Sequence, residues 1–471
     1  MGVGGNDGMF TVTLTKKEIV AAALPLQGHW LPLSNLDLLL PPLDVGVLLC
    51  YNRKHIISSS LSNASFGSMV GALKRGLAEA LVYYYAFSGE VVANSSGEPE
   101  IFCNNRGVDF FEAFADIELQ HLNLFKPDEI IEAKLVPEKK AGVLAVQATE
   151  LKCGSLVVGC SFDHRIADAY SVNMFLVSWA ETTQSKPISV LPCFRRSLLN
   201  PRRPGHFDPC LSNLYVPISS MAPPKEPGDQ DNGDHLISRI YHIKSEDLNR
   251  LQLLASSNGT NMTKLESFSA FLWQKIAKYA DKDDDGGRKT SKMGIVVDGR
   301  SRLNEDEDVG KKKRMGTYFG NVLSIPYGRQ RVDYLTENPL SWVAKEVHGF
   351  LETAVTKEHF LGLIDWVEAH RPEPAVAKIY CNESHDGPAF VVSSGQRFPV
   401  TKVNFGWGSP VFGSYHFPWG GNSGYVMPMP SPVGNGDWLV YMRLFAKQMD
   451  FVETEAQNLL RPLTYDYLMS G

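Results

Sequence analysis

Long hydrophobic runs are missing from this chain. No stretch approaches the ~20 apolar residues of a membrane-crossing helix, so no membrane partner is expected. Paired cysteines are missing too. The seven present (Cys50, Cys103, Cys153, Cys160, Cys193, Cys210 and Cys381) are an odd number with no Cys-x-x-Cys spacing. They read as reduced thiols of a reducing compartment, which points to a cytoplasmic chain. The twelve histidines include no His-Glu-x-x-His and no paired Cys/His spacing, so no metal is expected. Also missing are a Gly-x-x-x-x-Gly-Lys-Ser/Thr phosphate loop and a dinucleotide-binding glycine fingerprint. Without a Gly-x-Ser-x-Gly elbow, hydrolase chemistry of that kind is set aside. Excess positive charge is lacking: a net charge of −6 gives no reason to expect nucleic acid. The first ten residues hold no basic segment followed by an apolar one, so no signal peptide is expected.

What is there is a soluble globular composition, in a chain of 471 residues that is too long for one ordinary domain. Phe10 to Leu14, Val45 to Tyr51, Val143 to Leu151 and Ser155 to Phe162 read as strands, the last two pairing with each other. Apolar spacing predicts helices over Phe66 to Val82, Asp109 to Ile117, Ala169 to Thr183, Ser245 to Ala255, Thr263 to Tyr279, Trp342 to Thr353 and Met449 to Leu460. Ile237 to Ile243, Met293 to Val297, Phe390 to Val392, Gly424 to Met427 and Trp438 to Phe445 read as further strands. The class is α/β with mixed sheets, without the regular βαβ alternation of a barrel. Prolines crowd the stretch from Pro187 to Pro227, and a polar run follows at 229–234. This predicts an N-terminal domain over 1–190, a crossover linker over 191–236 and a C-terminal domain over 237–471. The acidic run at 305–308 and the basic run at 311–314 read as offsetting charges in a solvated loop.

The chemistry concentrates at Ser161-Phe162-Asp163-His164-Arg165-Ile166-Ala167-Asp168-Ala169. The apolar run Leu156 to Cys160 leads into it and a helical pattern follows. A histidine therefore sits where a buried strand hands over to a helix, rigidly held at the mouth of a sheet, which suits a general base. Asp168 lies four residues on, a spacing that would let it touch His164 within a helix. A second stretch, Asn404-Phe405-Gly406-Trp407-Gly408, places two glycines around an indole and permits a tight turn. It reads as a packed turn that shapes the site at one remove.

His164-x-x-x-Asp168 together with Asn404-Phe405-Gly406-Trp407-Gly408 resembles the paired signature of the plant BAHD acyl-CoA-dependent acyltransferases. Their usual second motif begins with Asp. Supporting segments run along the chain: Leu33 to Asp37, Asn105 to Phe110, Ser197 to Pro201, Val297 to Arg302 and Tyr318 to Asn321. Within the family the chain looks most like coniferyl alcohol acyltransferases, on Ser393 to Pro399, on Asn404 in place of Asp, and on Phe417 to Gly421 with Tyr425 to Pro430. Two departures bear on function. Asn404 carries no charge, which argues for a structural role. Gly395 stands where shikimate-using hydroxycinnamoyl transferases carry a Trp, and no Arg just upstream of Ser393 is placed to hold a shikimate carboxylate.

The resemblance implies a chloramphenicol acetyltransferase-like fold of two similar-sized domains with a channel between them, working as a monomer. His164 would be the general base, taking the proton of an alcohol as its oxygen attacks a thioester. Asp168 would turn away from His164 and pair with Arg300 across the channel. Ser393, Ser394 or a backbone N–H near Trp407 would donate to the oxyanion, and Ser34 would either lie near the acceptor or cap a turn. Acyl-CoA, taken as acetyl-CoA, is a co-substrate and no cofactor is held permanently. The acceptor implied is an aromatic alcohol such as coniferyl alcohol. The alternative is a hydroxycinnamoyl-CoA-dependent transferase acting on another alcohol or an amine. A non-catalytic binding protein on the same fold is the third reading, against which the intact His164 argues.

Overall fold

The computed structural model describes residues 10–58, 65–132, 134–220, 235–280, 289–304, 315–381, 386–418 and 420–470. The charged runs at 229–234, 305–308 and 311–314 lie outside the described residues.

Two mixed sheets carry the fold. The first has six strands in the order Val12–Val20, Val108–Ala115, Leu144–Leu151, Leu156–Asp163, Asp44–Tyr51, Phe412–His416. The second has seven, in the order Tyr327–Arg331, Thr290–Ile295, Asp386–Val392, Gly424–Pro430, Trp438–Phe445, Leu236–Ile243, Arg461–Pro462. Each combines parallel and antiparallel neighbours. Leu156–Asp163 lies inside the first sheet, and all eight of its residues are buried. Both faces are covered, which is why it reads as a continuous apolar run and not as an alternation. It pairs antiparallel with Leu144–Leu151 as the sequence predicts.

The helices Phe66–Tyr83 and Ala169–Thr183 pack closely against each other. Trp179 Nε1 donates to Leu73 O at 2.9 Å, and Thr182 Oγ1 donates to Gly76 O at 2.8 Å. A Cβ on Gly76 would come within 2.2 Å of Thr183 Oγ1, so only glycine permits this approach. One apolar core takes residues from both halves of the chain, and a second lies within residues 241–460. Phe319, from the second half, stands edge-on to Phe87 and Tyr84 with ring centroids 5.2 and 5.6 Å away.

Three segments differ from the sequence expectations. Of residues 109–117, predicted helical, 109–115 belong to the strand Val108–Ala115, held between Val12–Val20 and Leu144–Leu151. Those partners are remote in sequence, and tertiary pairing overrides local periodicity there. Phe412–His416, where the sequence predicts no element, is a strand that crosses from the second half to complete the first sheet against Asp44–Tyr51. Lys357–His370 is a helix capped by Thr356, whose side chain accepts from His359 N. Within the proline-rich stretch, Tyr215–Pro217 pairs with Ala375–Ala377.

Candidate active site

At the end of Leu156–Asp163 the chain turns sharply. Asp163 accepts from Arg165 N and Arg165 Nε, both at 3.0 Å, and Ile166 N donates to Asp163 O at 3.1 Å. His164 N donates to Leu43 O at 2.9 Å, so the turn is pinned to the neighbouring strand. On the other side Asn321 Nδ2 reaches His164 O at 3.0 Å, Arg165 O at 3.2 Å and Asp37 Oδ1 at 2.9 Å. Asn321 thus ties the histidine turn to the second half of the chain. Its motif, Tyr318 to Asn321, stands out in the sequence, but nothing there assigns the amide a partner.

Asp168 faces away from the imidazole. Its carboxylate caps the helix Ala169–Thr183, accepting from Ser171 N at 2.9 Å. It also receives Arg300 Nη1 at 2.7 Å, Arg300 Nη2 at 3.1 Å and Val322 N at 3.2 Å. Asp168 and Arg300 are 1% and 2% exposed, a buried bidentate pair. Arg300 also donates to Gly320 O at 2.8 Å and Ser171 Oγ at 3.1 Å, so both partners are well satisfied.

The His164 ring lines a cavity of about 410 Å³ walled by both halves of the chain. Leu39, Leu43 and Phe162 wall it on one side, and Val297, Arg302, Ser393, Ser394 and Met427 on the other. The Phe417 ring stands edge-on to His164, 6.1 Å between centroids, and stacks on Tyr425 at 4.3 Å. Burial pushes the Tyr425 hydroxyl pKa upward, so it stays a neutral donor. Burial also lowers the His164 pKa, outweighing the Asp168 and Asp163 carboxylates nearby. If His164 is the base, kcat/KM should be flat through neutrality and fall only on the acid side, with a midpoint below the ordinary ~6.5. A midpoint above that value in a pH–rate profile would contradict this. The folded chain binds this proton less tightly than the unfolded one. Its contribution to stability is therefore complete above ~6.5 and is lost as pH falls toward the folded value.

Other predicted residues stand off the cavity. Ser34 is tied to Asp37, at the start of the turn Asp37–Leu39: its Oγ donates to Asp37 Oδ2 at 2.7 Å, and it does not line the cavity. Asn404 Oδ1 accepts from Gly406 N at 2.8 Å and Gly408 N at 3.0 Å, with φ of 113° and 100° at the two glycines. The turn needs an acceptor at 404 and not a charge, so Asn serves as well as Asp. Phe405 meets Trp179 edge-on at 4.8 Å, and Trp407 meets Tyr51 edge-on at 6.2 Å. Trp407 is 1% exposed and does not line the cavity that holds His164. Asn404 itself borders a second cavity of about 600 Å³, which shares Tyr170, Asn173 and Arg397 with the first. Among the described residues no group of His, Cys, Asp and Glu is placed to hold a metal.

The chain is similar to known proteins over nearly its whole length. A family model described as "Transferase family" matches residues 10–459. The chain is 26% identical to putrescine hydroxycinnamoyltransferase 3 of Oryza sativa subsp. japonica over 395 residues, covering 80% of this chain and 85% of that one. It is 25% identical to shikimate O-hydroxycinnamoyltransferase of Nicotiana tabacum over 446 residues, covering 92% and 96%. Among solved structures it superposes on vinorine synthase with a TM-score of 0.68 at 19% identity, covering 96% of this chain and 99% of that one. F. graminearum TRI101, solved with coenzyme A and deoxynivalenol, gives a TM-score of 0.71 at 15% identity, covering 92% and 99%. These structures share the two-sheet fold. The chain belongs to the Transferase (BAHD) family and is an acyltransferase.

Proposed function

We propose that the cavity transfers an acyl group from acyl-CoA to the hydroxyl of an aromatic alcohol, with His164 as the general base. The observation that carries this is the imidazole, held in a cavity walled by both halves of the chain, with its pKa lowered by burial. The neutral ring takes the hydroxyl proton as the oxygen attacks the thioester carbon. The tetrahedral oxyanion collapses, and the proton passes to the departing thiolate. No covalent acyl-enzyme is needed. Ser393 and Ser394 are the oxyanion donors favoured by their place in the cavity wall; Trp407 is buried away from it. The Asp168–Arg300 pair holds the histidine turn and takes no proton.

The mainly apolar wall, with Phe417 stacked on Tyr425, suits an aromatic acceptor that must be desolvated. Gly395 supports an acceptor other than shikimate. A Cβ there would come within 2.7 Å of Met429 Cγ and 2.9 Å of Pro428 O, so the backbone leaves no place for an indole. Acetyl-CoA with coniferyl alcohol is the reading tested first. Purified protein should release free thiol from acetyl-CoA in the presence of coniferyl alcohol, with the acetate ester identified by mass spectrometry. No release with this or related alcohols sinks it. The second reading, a hydroxycinnamoyl donor with an alcohol or amine acceptor, is favoured by the relatives named above. A preference for aromatic thioesters in a donor panel would establish it over the first.

A further inference from the structure

Arg302 is a cation with no assigned work. The turn that carries it is tight: Arg302 N and Leu303 N both donate to Gly299 O, at 3.1 and 2.9 Å. A Cβ on Gly299 would come within 2.5 Å of the Phe360 ring, which keeps this position glycine. Arg300 and Arg302 leave the same turn for different ends. Arg300 enters the core to meet Asp168, whereas Arg302 joins the wall of the cavity that holds His164.

Among the described residues around this turn, two carboxylates, Asp168 and Asp298, stand against three guanidinium groups, Arg300, Arg302 and Arg397. Asp168 is taken by Arg300. Asp298 is taken by Arg300 Nη1 at 3.1 Å and Arg397 Nη1 at 3.3 Å. Among the described residues Arg302 makes no ion pair, and its Nε is buried without a hydrogen-bond partner. Burying part of a guanidinium without compensation is costly, and such groups are normally partnered. An anion arriving in the cavity whose wall Arg302 joins would give this guanidinium the counter-ion it lacks among the described residues.

We propose that Arg302 is a specificity determinant of this cavity, recognising an anionic group carried by a substrate. This rests on the acyl-transfer reading of the same cavity. Two sources offer that chemistry: a phosphate of the acyl-CoA, or a carboxylate on the acceptor. The guanidinium fork matches either in bidentate fashion, and a charge-assisted contact of this kind is worth roughly ten- to a hundredfold in affinity.

The test compares wild type with Arg302→Gln, and with Arg302→Lys, which keeps the charge. Binding is measured by calorimetry, independently of turnover, for acetyl-CoA and for S-acetylpantetheine, which lacks the phosphates. The same is done for 4-(hydroxymethyl)benzoate and for its uncharged methyl ester. If the coenzyme is the source, Arg302→Gln weakens acetyl-CoA tenfold or more and leaves S-acetylpantetheine unchanged. If the acceptor is the source, it weakens the carboxylate and spares the ester. Arg302→Lys should recover part of whichever loss is seen. Equal binding of all four ligands by wild type and Arg302→Gln overturns the proposal. If Arg302→Gln does not fold, Arg302→Met, which also removes the charge, decides: a weakening confined to the anionic member of one pair supports the proposal, and equal binding of all four ligands refutes it. Turnover is followed in parallel. Failure of wild type with every thioester and alcohol would count against the acyl-transfer reading, whereas unaltered binding counts against Arg302 alone.

Discussion

His164→Ala is expected to lower kcat by at least the ~10²–10⁴-fold that a positioned general base contributes, with the far-ultraviolet circular dichroism unchanged. The fold should survive because the ring is not a keystone of packing. It borders a cavity, and its Nδ1 holds no hydrogen bond that the substitution would break. What pins the turn is backbone: His164 N on Leu43 O, and the Asn321 amide on His164 O. Both remain in the variant. Binding of acyl-CoA should change little, so the loss falls on kcat more than on KM. Turnover within tenfold of wild type, in a single-wavelength thiol assay under saturating substrate, would remove His164 from the mechanism.

The second large effect is structural. Asp168→Ala leaves Arg300 buried with its main counter-ion gone, and breaking such a pair by removing one partner costs about 3–5 kcal/mol. The helix Ala169–Thr183 also loses its cap, since Asp168 accepts from Ser171 N, which adds about 1 kcal/mol. Urea denaturation monitored by tryptophan fluorescence should show the midpoint falling sharply. Activity at low temperature should also fall, because the turn that ends in Asp168 begins at His164. Asp168→Leu with Arg300→Met, which removes both charges, is expected to recover part of the stability. A loss below about 1 kcal/mol for Asp168→Ala would mean that the pair contributes little.

The central strand was legible because burial on both faces leaves an unbroken apolar signature from Leu156 to Cys160. The Phe66–Tyr83 helix was legible for the opposite reason: one face is buried, and Met69, Leu73, Leu77 and Leu81 repeat at helical spacing. Segments defined by distant partners were not. Val108–Ala115 takes its form from strands on either side that lie far off in sequence, and Phe412–His416 pairs with residues more than 350 positions away. At the site, spacing alone would set Asp168 against His164. The partner is Arg300, 132 residues on, and only the family resemblance pointed to it. Arg302 closes a segment that stands out in the sequence, Val297 to Arg302, but that it makes no ion pair among the described residues is a property of a folded neighbourhood.

Phe412–His416 has a mechanical consequence. This strand, from the second half, is laid into the first sheet along Asp44–Tyr51, and Phe417 beside it faces His164. Any separation of the halves would therefore carry this strand along with the first sheet, and the strain would fall on the short connections that lead into and out of it.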